Sequence, residues 1–371
     1  MIKILFTIPN FETAGSGKAL LHVVTRLDSK RFEAHIACVH TRGDFFKIVE
    51  ASGIPIHILE YSRPMKPYLS AIKACYDVSR QLKKIAPDII HSFHYAADYS
   101  EPLAAKMAGI KWVYTKKNMN WGGGSKNAWY LRSYLATAIA VQNTDMMETF
   151  FKNSKKTVLI PRGVDVEIFK PVLKSESLAQ KWGLEPKHRV VMCVANLVPV
   201  KGIEVLLKAF KGVGVPFADW KLMIVGDNNN SYGKELNALT IELGIEDTVL
   251  FCGKQDKVQD YLSLAEVVVL PTLDKGRKEG SPVSLLEAMA SGKNVLGSNI
   301  SGIKDQLEPY PEHLVTAGDV EAWRLALLTC FSNSRAVNSQ IGKGFREYVI
   351  QNYHIDKEVN SCQELYFKLS K

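Results

Sequence analysis

Residues 190–210 read VVMCVANLVPVKGIEVLLKAF, and the order of patterns in that stretch decides the fold. Val190 to Val194 is an unbroken apolar run with the length of a strand buried on both faces. Residues 195–202 turn into a loop carrying Pro199 and Gly202. Ile203, Leu206, Leu207 and Phe210 then fall at i, i+3, i+4 and i+7, the spacing of one helical face. Strand, loop and helix recur along the chain. Apolar runs at 2–8, 34–39, 89–93, 112–115, 138–141 and 158–160 form one series. Runs at 190–194, 222–225, 249–251, 267–270 and 294–296 form a second. Leu20, Val23, Val24 and Leu27 repeat the helical spacing between strands. This alternation predicts parallel sheets covered by helices.

The 371 residues suit two domains. The break between the series falls near Pro161 to Pro186, with a polar stretch at 174–187 leading into the second domain. Six widely spaced cysteines, none in a C-x-x-C pair, argue for buried thiols in a reducing cytoplasm rather than a disulfide framework or zinc site. The apolar start reads as a short strand rather than a signal peptide, and no apolar run approaches the ~20 residues that span a bilayer. The net charge of +9 is unevenly spread. Residues 1–165 hold 23 Lys and Arg against 13 Asp and Glu, while the remainder holds 24 against 25. The basic first half suits either a solvated surface or an anionic partner such as a membrane face. No nucleic-acid recognition motif accompanies the charge.

In doubly wound sheets ligands bind beyond the carboxyl ends of the strands, so the loops after strands carry the chemistry. Residues 278–292, KEGSPVSLLEAMASG, follow the run at 267–270. Ser281 is a helix cap, Pro282 suits the first helical position and Gly292 is a stop. The helix N-terminus, with the N–H groups of Gly280, Ser281, Val283 and Ser284, is an anion site suited to phosphate. Glu279 precedes the helix, and Glu287 lies roughly 7.5 Å along it at 1.5 Å per residue. From spacing alone, a capped surface helix with two solvated acids is the plainer reading. In the loop 195–202, Lys201 can neutralise a diphosphate as a point charge. The stretch Ala14-Gly15-Ser16-Gly17-Lys18 follows the first strand. It is no P-loop, because Glu12 and Ala19 stand where glycine and Ser or Thr are needed.

Together these stretches resemble the retaining glycosyltransferases of family 4. EGSPVSLLEAMASGK at 279–293 matches that family's E-x7-E motif through Glu279 and Glu287. ANLVPVKG at 195–202 is similar to its first phosphate loop, and IPRGVD at 160–165 to its junction segment. IVGD at 224–227, FCGK at 251–254 and SGIKDQL at 301–307 also fit. The match runs through nearly all of residues 158–307 and is weaker in the first half.

The resemblance implies the GT-B fold: two Rossmann-like, doubly wound α/β domains facing across a cleft. Residues 1–165 with a crossover helix at 350–371 form the acceptor-side domain, and 166–349 the nucleotide-sugar domain. Glu287 is expected on the donor ribose, Glu279 on the transferred sugar and Lys201 on the diphosphate, helped by the amides from Gly280 to Ser284. Gly15, Ser16 and Gly17 are expected to close over the phosphates, and Gly253 and Lys254 to lie near the base. Asn196 replaces the family's usual Arg, and cannot make its bidentate fork. The family's usual His has no counterpart, and Lys117 or Asn118 stands in its place. His91 and His94, one strand earlier, are further candidates for the cleft, against the plainer reading of structural histidines. Trp121 to Trp129, around three glycines, reads as a mobile acceptor loop.

The implied reaction is metal-independent transfer of a sugar from a UDP-, GDP- or ADP-sugar to an acceptor hydroxyl, without other cofactor. A glycan or lipid-linked acceptor, at the inner face of an anionic membrane, fits polysaccharide or lipopolysaccharide assembly. An inverting transferase, an epimerase, or a non-catalytic binding protein with a degenerate site are the competing readings.

Overall fold

The computed structural model describes residues 1–12, 14–121, 125–276 and 280–371. The chain forms two compact units, Met1–Pro161 with Asp356–Lys371, and Arg162–Ile355.

In the first unit seven strands pair in parallel: β1 (Ile2–Thr7), β2 (Phe32–Cys38), β3 (Ile56–Ile58), β4 (Ile89–Ser92), β5 (Lys111–Lys116), β6 (Ala138–Val141) and β7 (Thr157–Leu159). Their order is β3-β2-β1-β4-β5-β6-β7. The helix Ile355–Ser370 completes this unit. Its Tyr366 is fully buried against Phe6, Phe32 and His91, and Phe367 lies against Phe32 and under Arg31.

The second unit has six parallel strands: β8 (Arg189–Val194), β9 (Trp220–Val225), β10 (Val249–Gly253), β11 (Val267–Leu270), β12 (Asn294–Ser298) and β13 (Leu314–Val315). Their order is β10-β9-β8-β11-β12-β13. Val190 and Met192 pack into one buried cluster while Val191 and Cys193 pack into another. Successive side chains of a strand point to opposite faces, so both faces of this sheet are covered. That is why β8 is apolar without alternation.

Each sheet reverses its strand order once, between β1 and β4 in the first unit and between β8 and β11 in the second. Such a reversal opens a crevice beyond the carboxyl ends of the flanking strands. Of the loops singled out by sequence, those after β1, β4, β8 and β11 lie at the two reversals, and those after β5 and β10 lie beside them. Strands β3 and β13, of three and two residues, are edge strands with no apolar run of their own, and periodicity does not find them.

The segment at 160–165 ends as a tight crossing. Val164 N–H donates to Tyr353 O at 2.8 Å and Ile355 N–H to Val164 O at 3.0 Å. A Cβ on Gly163 would stand 2.6 Å from Ile355 Cα, so only glycine fits there. All six cysteines are buried thiols. Among the described residues no helix is long and apolar enough to cross a membrane.

Candidate active site

In the second unit the loops after β8 and β11 touch. Pro199–Lys201 forms one 3-10 turn, and Leu273 N–H donates to Val200 O at 2.8 Å. Gly202 follows at φ +65°, where a Cβ would stand 2.2 Å from Pro271 O. The packing leaves Lys201 only 6% exposed. Its charge is felt by Cys193: burial pushes that thiol up to about 12, and Lys201 opposes the rise.

The helix Val283–Ala290 starts one residue later than the sequence reading. Pro282 is the N-cap, and Ser281, expected to cap, turns its hydroxyl to accept from Gln306 Nε2 at 3.0 Å. Gln306 is buried, so its amide needs partners, and it also reaches Pro282 O at 3.2 Å. The first turn therefore carries neither a capping side chain nor an acid. Val283 and Ser284 are half-buried there, behind the buried Gly280 and Ser281. This leaves the positive end of the helix dipole to an anion. Glu287 lies one turn along, half-buried. Gly292, at φ +70°, ends the helix: its N–H donates to Met289 O at 2.9 Å and that of Lys293 to Ala288 O at 3.1 Å, a Schellman closure. Glu279, the expected sugar contact, lies outside the described residues.

The loops after β9 and β10 continue the same rim. Gly226 N–H donates to Gly253 O at 3.0 Å, and a Cβ on Gly226 would meet Ala195 O at 1.9 Å. Gly253, at φ +69°, is thereby tied through Gly226 to the loop of Asn196. Asn196 and Lys254 are both exposed.

In the first unit the expected glycine loop is already helical. Residues Gly15, Ser16 and Gly17 lie in the first turn of the helix Ala14–Val24. Gly15 has open space at its Cβ position, whereas Gly17 faces Phe11 and Phe45 at 3.0 Å. Gly17 is thus a packing glycine, and the open approach to a ligand is at Gly15. Lys117 Nζ donates to Ser16 Oγ at 3.2 Å and to Phe93 O at 2.6 Å, joining the loops after β1, β4 and β5.

His91 and His94 separate clearly. His91 is fully buried, with Nδ1 2.5 Å from Tyr366 Oη and Nε2 2.8 Å from Thr115 Oγ1. Burial lowers it to about 3, so it is a neutral structural histidine and not a cleft residue. His94 is half-buried beside Tyr61. Burial and then Arg132 bring it down to about 4, with Lys117 adding to the fall and Asp98 opposing it. Near neutral pH it is therefore an uncharged imidazole, and among the described residues its Nδ1 has no hydrogen-bond partner.

Two buried cations hold these loops, and neither stood out in the sequence. Arg132, 0% exposed, donates to Asp98 O at 2.7 Å and His94 O at 2.8 Å. Glu101 lies 3.9 Å away as its counter-charge and accepts from Thr7 and Ser92. Burial raises the Glu101 carboxyl, and Arg132 opposes the rise. Lys116 donates to the carbonyls of Asn118 and Asn120. Asn118 is itself only 7% exposed. Trp121 and Trp129 pack 5.3 Å apart around Lys116; Trp121 is half-buried, and Trp129 is 1% exposed in the helix Lys126–Leu135. The glycines between them, 122–124, lie outside the described residues.

The family model described as Glycosyltransferase Family 4 matches residues 13–168, and that described as Glycosyl transferases group 1 matches residues 174–349. The chain belongs to the family 4 glycosyltransferases. This glycosyltransferase is 24% identical over 318 residues, 80% of each chain, to the UDP-Gal:alpha-D-GlcNAc-diphosphoundecaprenol alpha-1,3-galactosyltransferase of Escherichia coli. Its fold is similar to that of a glycosyltransferase from Rickettsia africae, with TM-score 0.87 and 18% identity over 100% of this chain and 99% of the other. Anabaena Alr3699/HepE, solved with UDP and glucose, gives TM-score 0.82 at 19% identity over 99% and 100% of the two chains. The glycosyltransferase therefore has the GT-B fold of two Rossmann-like domains.

Proposed function

We propose that this glycosyltransferase is a retaining, metal-independent enzyme that takes a sugar from a nucleotide-sugar and passes it to a lipid-linked glycan. The observation that carries the donor half is the contact between the Lys201 loop and the strand end leading to the helix Val283–Ala290, at the strand reversal of the second unit. A cation and an uncapped helix N-terminus there suit a diphosphate. As the sugar–phosphate bond breaks, negative charge grows on the leaving diphosphate. Fixed groups that bind this charge more strongly in the transition state than in the ground state accelerate the step. Lys201 supplies a point charge and the first-turn amides of Val283 and Ser284 supply dipoles, with no metal ion required. Glu287 holds the ribose, Glu279 the transferred sugar, and Gly253 and Lys254 border the base. In the first unit, Ser16, Lys117, Asn118 and the neutral His94 take the sugar and phosphate contacts.

Calorimetry with UDP-, GDP- and ADP-sugars in EDTA tests the donor half. Binding of one of them, weakened in Glu287→Ala, is expected; no binding to any would overturn it. Retention is read from the product anomer by NMR, and an inverted anomer would sink that part.

The acceptor half rests on the first unit. The E. coli relative acts on a diphosphoundecaprenol-linked sugar. Helix Tyr68–Ile85 turns Leu69, Ile72 and Tyr76 to solvent, at 86%, 50% and 56% exposure. Lys73, Arg80 and Lys83 are exposed on the same side of that helix. An apolar stripe with basic residues suits an anionic lipid surface. Sedimentation with anionic liposomes that weakens at high salt is the expected result. Equal partition at low and high salt, or onto neutral vesicles, counts against it.

A further inference from the structure

Lys116 ends β5 wholly enclosed, at 0% exposure. Its Nζ donates to Asn120 O at 2.7 Å, Asn118 O at 2.9 Å and Tyr95 Oη at 3.3 Å. An ammonium has three protons, and three acceptors use all of them. The rings of Phe150 and Trp121 stand 4.1 and 4.3 Å from Nζ, and those of Tyr95 and Trp129 5.5 and 5.9 Å. Aromatic faces attract a cation, so the surroundings form a cation cage filled by the chain's own lysine. Packing does not explain the choice of residue, since a buried charge is often replaced by an apolar side chain of similar volume without loss of stability. What the ammonium does, and a thioether cannot, is grip two carbonyls of the segment that carries Lys117 and Asn118.

We propose that Lys116 is a positioning residue: its caged cation fixes residues 117–121, so that Lys117 and Asn118 meet the donor in one geometry while Lys116 itself touches no ligand. The inference rests on the donor reading given above. The segment reaches further through Lys117, which bonds Phe93 O and Ser16 Oγ, so a displaced segment disturbs the loops after β1 and β4 as well.

The same burial makes the cation titratable near neutrality, lowering Lys116 from 10.5 to about 7. The loop after β4 brings the Tyr95 phenol to the cage, while the helices Lys126–Leu135 and Thr144–Phe151 bring the uncharged Trp129 and Phe150. Further cations on these elements are Lys117, next in sequence, and Arg132, whose guanidinium lies 6.0 Å from the Trp129 ring. A donor that binds the fixed segment favours the protonated lysine, and by reciprocity binding takes up a proton.

The test is calorimetry of UDP-galactose, UDP-glucose and GDP-mannose binding from pH 6 to 9, in two buffers of different ionisation enthalpy, with tryptophan fluorescence of the free protein alongside. For the wild type, affinity is expected to fall about tenfold as pH rises, with proton uptake on binding, within the usual range of coupling between sites. The fluorescence of Trp121 and Trp129 is expected to titrate in step. Lys116→Met, checked for folding by its melting curve, is expected to bind about tenfold more weakly at pH 6 and to lose both the pH dependence and the fluorescence titration. A folded Lys116→Met with wild-type affinity at every pH overturns the proposal. If that variant does not fold, the wild type decides: fluorescence that titrates while affinity stays flat overturns it equally. Failure of all three donors to bind the wild type at pH 6 is a different result, and overturns the donor reading on which the proposal stands.

Discussion

Lys201 is nearly enclosed, and its environment decides how much it can do. A point charge in a site of low dielectric is worth far more than in water, and it needs no reorganisation as the leaving charge develops. Lys201→Met is expected to lower kcat/KM by about 10²–10³, with most of the loss in kcat, as for a group that acts mainly on the transition state. Steady-state kinetics checks this, and a change confined to KM would show uniform binding instead. His91 gives a second residue-scale prediction. Its folded value of about 3 lies below the ordinary 6.5, so the unfolded chain binds the proton first. Stability is therefore lost as pH falls below about 6.5 and the loss levels off near 3, amounting to about 2 kcal/mol at pH 5. Melting curves should show wild type and His91→Gln converging between pH 7 and 5. The placement of Lys201 and Glu287 beyond strand ends is legible in the sequence because both sit in motifs that follow an apolar run. The enclosure of Lys116 is not. A lysine at the end of a strand next to a second lysine reads as solvated, and its cage comes from Tyr95, Trp121, Trp129 and Phe150, scattered between positions 95 and 150 and assembled only by the fold.

At the scale of elements, close approach between loops depends on glycines. Gly202→Ala adds a Cβ at positive φ, 2.2 Å from a backbone oxygen that cannot swing aside. The expected loss is about 3 kcal/mol or more, and a melting point lower by more than about 6 °C. Retention of the wild-type melting point would show that the two loops can part without penalty. The helix Val283–Ala290 shows where sequence reading stops. Ser281 before Pro282 has the signature of a cap, and its hydroxyl is taken by Gln306, 25 residues further on. A local signature cannot register a competing partner that the sheet brings in. Ser281→Ala should therefore leave the helix start intact and take from the buried Gln306 amide one of its two acceptors, at about 1–3 kcal/mol in a denaturant titration. The two long strand series were plain because strands covered on both faces are apolar throughout; β3 and β13, short and at the edges, have no such mark.

The whole molecule is discontinuous in one unit and continuous in the other. Residues Arg162–Ile355 form a unit without the rest of the chain, and the unit of Met1–Pro161 includes the last helix. A fragment of residues 162–355 is expected to fold and to bind the nucleotide part of the donor, as cooperative melting and calorimetry would show. Residues 1–161 alone leave His91, Phe6 and Phe32 without Tyr366 and are expected to be unstable or aggregated. A cooperative transition in that fragment would contradict this. The same connectivity sets a schedule for the nascent protein. Residues 1–161 leave the ribosome first, but the helix that covers them follows after 194 further residues. At about 5–20 residues per second the wait is about 10–40 s, and during it the second unit has time to fold. The half synthesised first is thus finished last, and for that interval its exposed apolar sheet is open to a chaperone or to a neighbouring nascent chain.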